Sequence, residues 1–327
     1  MKNKYRIIEI DLLKGFGILL MIIGHVHFSD SINQYIYSFH MPLFFIASGY
    51  IYKKSSLSLT KYTLKQIKNL LLPYIFFGMI FTILFVVLGH PLKWRVVFGN
   101  FYSPNHFPFD WCGAIWFLLA MFWVKIIFEF SIRLLNRNVR LIVWLIVFSF
   151  GIASSYLKIE LPLCLDSAFV GFLLYVIGYG YRKKENVIEN WFNDSKNKVI
   201  LVIMLIAVSG MCFINSAVNM RENTYGTFMV FLLTAISGTA LWGFLFKYFK
   251  NNILLQRLLI PLSDNSIAYM GINQFLIALI NVYLITKING VGILVSAKVV
   301  EVIVVITLIM IVSAVINKSF LKVFIGK

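Results

Sequence analysis

The chain has 327 residues, of which 60% are hydrophobic, 17% aromatic and only 13% charged. Soluble domains carry nearer a quarter charged residues, so this apolar content exceeds what one water-facing core buries, and bilayer must cover part of it. The formal charge of +17 does not indicate a nucleic-acid binder, because the basic residues sit in short loops between apolar runs and no separate basic domain exists.

In chain order, the apolar runs predict spans at roughly 12–28, 35–52, 70–89, 112–132, 140–157, 163–181, 199–217, 226–246, 265–285 and 291–317. Each is near the ~20 residues that a bilayer requires. The expected fold class is all-α, a polytopic membrane protein of about ten transmembrane helices. Nine or eleven remain open, since 91–111, with Pro91, Pro104 and Pro108, leaves room for a re-entrant piece. That stretch also holds Trp94, Tyr102 and Trp111, and reads as the largest extracytoplasmic loop with interfacial aromatics. The apolar run behind the basic N-terminus contains Asp11 and Lys14 and lacks a small-residue cleavage site, so the first helix is expected to remain. Cys112, Cys164 and Cys212 are far apart and read as small buried hydrophobes.

Lysine and arginine counting predicts the orientation. Of the 30 such residues, 22 fall in the N-terminus, the loops 53–69, 133–140, 182–198 and 247–264, and the C-terminus. The alternate side holds 6, counting Lys298 in the first part of the last span, and Lys14 and Lys125 lie inside other spans. The excess predicts cytoplasmic N- and C-termini and an even number of helices.

Charges inside spans are costly and are functional candidates by default. The first span has Asp11, Lys14 and His25. At 100° per residue, Lys14 and His25 differ by about 20° around the axis and lie about 16 Å apart along it. Asp11 lies about 40° from His25 in the other direction, so all three share a face, and Asp11 is placed to pair with Lys14 at i,i+3. A blander reading puts Asp11 and a snorkelling Lys14 at one interface and His25 at the other. Gly15, Gly17 and Gly24 favour a site, since they allow close helix approach.

His40 opens a second cluster, Phe39-His40-Met41-Pro42-Leu43-Phe44-Phe45, followed by Ser48-Gly49-Tyr50. Two histidines at one membrane depth suit proton handling. No metal is expected, because no carboxylate or thiolate cluster completes a tetrahedral set around them and His27. Lys61, Lys65 and Lys68 share one helical face before Pro73. That face suits anionic lipids or a polyanionic cosubstrate. Trp116 reads as packing, interface or substrate contact. Asp166 opens a span as either a helix cap or a contact to a polar substrate. Asn273, inside the ninth span, reads first as helix–helix glue.

The run from Asp11-Leu12-Leu13-Lys14-Gly15 to Gly24-His25, with the His40 and Gly49 segments, resembles the acyltransferase-3 superfamily of membrane proteins. It is most similar to the branch of fucose- and capsule-type polysaccharide O-acetyltransferases. The basic segment ending at Pro73, Ile115-Trp116-Phe117-Leu118 and Gly178-Tyr179-Gly180 add to the resemblance. It implies one membrane acyltransferase domain over 1–327 in a bacterial cytoplasmic membrane, with lipids and a glycan acceptor as partners. It implies acetyl-CoA as cytoplasmic donor, His25 and Asp11 as catalytic residues, and Lys14, Lys65 and Lys68 as donor-binding residues. His40, Trp116 and Asp166 would meet the acceptor. Many members have arginine at the position of Lys14, and many have a histidine where this chain has Asn273. A transporter or flippase of a glycan or lipid-linked sugar is the alternative, since buried polar residues among ten helices suit that too.

Overall fold

The computed structural model describes residues 6–191, 195–283 and 291–326. Among them the fold is all-helical, with one isolated β-bridge between Asn219 and Thr224. Lys2, Lys4, Lys287 and Lys327, which entered the charge count, lie outside the described residues, as do the last two residues of the expected span 265–285. The chain forms two compact units. The first comprises Met1–Lys53, Leu173–Met220 and Thr224–Asp264; the second comprises Lys54–Phe172, Arg221–Asn223 and Asn265–Lys327.

The first unit contains α1 (Ile8–Val26), α2 (Asp30–Tyr50), most of α8 (Leu165–Trp191), α9 (Ser195–Gly210), α10 (Phe228–Tyr248) and α11 (Ile253–Asp264). α1 packs against α2, α10 and α11. Two glycine crossings set these distances. A Cβ on Gly15 would lie 2.0 Å from the carbonyl oxygen of Leu259, so α11 rests on the α1 backbone. α2 and α8 cross twice in the same way. A Cβ on Gly49 would lie 1.9 Å from Tyr175 O, and one on Gly178 would lie 2.0 Å from Ile46 O. The Ser48-Gly49-Tyr50 and Gly178-Tyr179-Gly180 segments thus meet as the two sides of one helix pair.

The second unit contains α3 (Leu59–Gln66), α4 (Leu72–Val87), α5 (Trp94–Tyr102), α6 (Trp116–Leu134), α7 (Arg137–Tyr156), the start of α8, α12 (Ser266–Tyr283) and α13 (Val291–Lys318). A π-helical turn, Ile67–Leu71, joins α3 to α4. Pro73 explains its position: it offers no N–H to the turn before it, and the widened turn absorbs that loss. Arg133 of α6 pairs with the buried Glu129 one turn away and also donates to Leu57 O at 2.5 Å and Ser55 O at 2.7 Å. It therefore anchors the segment leading into α3.

Each expected span falls on a helix. Seven helical runs are long and apolar enough to cross a membrane, or eight if α11 and α12 form one broken span. The two expected spans outside that set are α1 and α2. α1 carries Glu9, Asp11 and Lys14 within its first half, and α2 begins with Asp30, Ser31, Asn33 and Gln34. The expectation of ten therefore depends on two helices whose N-terminal parts carry charged or polar groups. Two stretches expected as loops contain helices instead. They are α5, within 91–111, and α11, within 247–264. α7 and α9 expose apolar residues along most of their length, among them Leu141, Leu145, Ile200 and Ile203. In water such surfaces would aggregate, so hydrocarbon is their solvent, and the chain is a multi-pass membrane protein. Cys112, Cys164 and Cys212 are all buried free thiols.

The Gly15 crossing predicts that Gly15→Ala lowers stability by about 1–3 kcal/mol, because a backbone carbonyl must retreat. Gly180, which has open space around it, should accept alanine without loss. Thermal unfolding of the two variants in detergent measures the difference.

Candidate functional site

In the first unit, α1 carries Asp11, Lys14 and His25 on one uninterrupted helix. Most of α1 is buried, and these three side chains are among its half-buried positions. Arg6 joins this helix to α11. Its Nε donates to Asp11 Oδ2 at 2.5 Å and its terminal nitrogen to Asp264 Oδ1 at 2.8 Å. Asp264 ends α11, where the helix dipole disfavours an anion, and Arg6 offsets that. The expected Asp11–Lys14 pair does not form: Asp11 is taken by Arg6, whose fork reaches two carboxylates at once. Among the described residues, Lys14 has no carboxylate within ion-pair distance.

His25 lies in the last turn of α1. The turn after it is tied by Asn33 of α2, whose Nδ2 donates to Gly24 O at 3.0 Å and lies 2.6 Å from His27 Nδ1. His27 closes α1 with a left-handed backbone, φ 57°. Gly17 faces the ring of Phe44 closely, whereas Gly24 makes only ordinary contacts with α2. His40 of α2 is buried. Its Nδ1 donates to Ile36 O at 2.9 Å, which leaves the lone pair on Nε2, and its ring meets Tyr37 edge-on at 5.1 Å. The structure therefore places Asp11, Lys14, His25 and His40 in one unit, on two helices in direct contact.

The remaining candidates belong to the second unit. Lys65 and Lys68 are exposed at the end of α3 and in the π-turn. Trp116 is buried at the start of α6 and packs edge-on against Phe117. Asn273 uses its Nδ2 on its own helix, at 2.6 Å from Tyr269 O and 3.2 Å from Met270 O, and its buried Oδ1 has no partner among the described residues.

Asp166 is fully buried and organises a network. It accepts from Ser167 N at 2.7 Å, Asn105 Nδ2 at 2.8 Å, His106 Nε2 at 2.9 Å and Leu161 N at 3.3 Å. Glu160 lies 3.7 Å from the other nitrogen of His106. Leu163 and Cys164, both in the left-handed region at φ 58° and 57°, turn the chain sharply just before Asp166. Sequence reading missed His106, because 60 residues separate it from Asp166 and no motif links them. Two further groups were also missed. Glu301 of α13 is buried with both carboxyl oxygens unbonded among the described residues. Arg6, which is exposed, was counted only as an N-terminal charge.

The hydrogen bond to Asp166 raises the pKa of His106 above its ordinary 6.5, with burial opposing and Glu160 and Glu222 assisting. A raised value in the folded state means that the charged imidazole stabilises the fold fully below pH 6.5. That contribution is lost as pH rises through the folded value. The melting temperature of the wild type should therefore fall above pH 6.5, and His106→Gln should flatten that slope. A pH series of detergent melts reads both.

The acyltransferase domain model of the acyltransferase-3 family matches residues 7–318. No curated protein and no solved structure matches the chain. The family match extends from the Arg6–Asp11 end of α1 to the end of α13, and it does not favour the transporter reading. The chain therefore belongs to the acyltransferase-3 family, and it is a membrane acyltransferase.

Proposed function

We propose that this protein transfers an acetyl group from cytoplasmic acetyl-CoA to a hydroxyl of a cell-envelope or capsular polysaccharide, or of its lipid-linked precursor. The reading places it in the bacterial cytoplasmic membrane, with both termini on the cytoplasmic side. The observation that carries it is the half-buried Lys14, which has no carboxylate within ion-pair distance among the described residues and shares a helix and face with His25. A half-buried cation in such a place favours an anionic ligand, here the phosphates of the donor. Exposed Lys65 and Lys68 offer further cations for donor phosphates or for anionic lipid.

In this reading His25 is the general base. It takes the proton of the sugar hydroxyl as that oxygen attacks the thioester carbonyl. The tetrahedral intermediate collapses, the C–S bond breaks, and the thiolate leaves with the proton that His25 held. His40 presents an unprotonated Nε2 that accepts from the acceptor hydroxyl or shares the proton. Asp11 acts through Arg6 rather than on Lys14: it ties α1 to the end of α11 and so holds Lys14 in place. Trp116 is a wall residue in this reading, and Asp166 positions the loop around His106.

His25→Ala should lower acetyl transfer by about 10²–10⁴-fold at normal protein abundance, the usual cost of losing a general base. Mass analysis of the surface polysaccharide then shows one acetyl group missing per repeat. Unchanged acetylation would overturn the assignment. Lys14→Ala should raise the KM for acetyl-CoA about ten-fold or more, consistent with losing a charged hydrogen bond of ~1.5–3 kcal/mol. Lys14→Arg should keep it near the wild-type value, and equal KM values in both variants would remove Lys14 from the donor site.

A further inference from the structure

Residues 91–111, expected as a loop, fold with the end of α4 around a cavity of about 320 Å³ in the second unit. This volume is at the small end of the range for ligand pockets, about 300–1,000 Å³. Four aromatic rings contribute to its walls, Phe81 and Phe85 from α4, and Phe109 and Trp111 from the segment after α5, beside aliphatic residues such as Leu92 and Val96. Trp111 is held from three sides, by Phe85 at 5.5 Å, Phe275 at 5.7 Å and His90 at 6.2 Å between ring centres. A ring fixed in this way loses little freedom when a ligand stacks on it.

Asn100 of α5 lines the same cavity and is only 7% exposed. Its Nδ2 donates to Pro108 O at 3.0 Å, which fixes the amide. Its Oδ1 is buried and accepts no hydrogen bond among the described residues. Such an orphaned acceptor costs about 1–3 kcal/mol, and a ligand that brings a donor recovers it. Lys93 and Asp110, both exposed, border the cavity with a donor and an acceptor.

We propose that this cavity is a carbohydrate subsite that holds one pyranose ring of the acceptor. The C–H face of the sugar lies on Trp111. One hydroxyl donates to Asn100 Oδ1, and others meet Asp110 and Lys93. An acyl chain would suit the rings but would leave Asn100 Oδ1 without a donor. A phosphate would bring acceptors where a donor is needed. A sugar presents an apolar face and an edge of hydroxyls together, as this lining requires. The proposal rests on the reading of the chain as a glycan acetyltransferase.

The test uses the full-length protein in lipid nanodiscs without acyl donor. The probe is de-O-acetylated oligosaccharide prepared from the surface polysaccharide of the producing cell. Trp111→Ala and Asp110→Asn should weaken binding about ten-fold, and Trp111→Phe less than three-fold. In the full reaction the same variants should raise the acceptor KM while kcat and the KM for acetyl-CoA stay within two-fold. Wild-type affinity in all three variants overturns the subsite, as does displacement of the oligosaccharide by a free fatty acid. The two readings fail separately. If the oligosaccharide binds through Trp111 but is never acetylated, the subsite stands and the acetyltransferase reading falls. If it is acetylated with the same KM by every variant, the subsite falls and the acetyltransferase reading stands.

Discussion

A helix that carries Asp11, Lys14 and His25 cannot face hydrocarbon, and the first unit is built around that constraint. Charges at membrane depth cost several kcal/mol unless protein or water receives them. α1 meets the constraint by being enclosed by α2, α10 and α11. Enclosure needs short interhelical distances, and these require glycine where backbones touch. Gly15 seats α11, and Gly49 and Gly178 seat α8 on α2. Arg6 then closes the end of the bundle by bridging Asp11 and Asp264. The consequence is chemical. With Asp11 held by Arg6, Lys14 makes no close ion pair with a carboxylate among the described residues.

The second unit solves a different problem. Its helices α4, α6 and α13 are apolar enough to lie in lipid, and two polar networks, around Asp166 and Arg133, fix the segments next to them. Asp166 binds four donors from three stretches of chain and fixes the turn into α8. Arg133 does similar work below α3 through two backbone carbonyls. Irregular backbone is tolerated in a membrane protein only where such bonds satisfy it. In the cavity beside α5 the lining is ordered by ring contacts, yet Asn100 Oδ1 has no partner among the described residues, as is also so for Asn273 Oδ1 and the Glu301 carboxyl.

The apolar runs were enough to locate the long helices among the described residues, since ~20 apolar residues leave a chain few choices in a bilayer. The face shared by Asp11, Lys14 and His25 was also legible, because one helix with a fixed 100° step determines it. Two short helices were not. α11 has twelve residues with Pro261 inside it, and α5 has nine in a proline-rich stretch, so neither shows a full span pattern. The i,i+3 spacing of Asp11 and Lys14 was real but misleading, since a competing guanidinium from Arg6 reached Asp11 first.

By itself, then, the sequence determined the solvent, the long helices and which chemical groups line one face of α1. These are local properties, set by composition and by helical geometry. Partners were decided only by tertiary structure. Arg6 with Asp264, Asp166 with His106, and Gly49 with Tyr175 are relations between distant segments. A hydrogen bond or a backbone contact depends on distances of a few ångströms between residues whose sequence separation carries no information. Packing alone sets those distances.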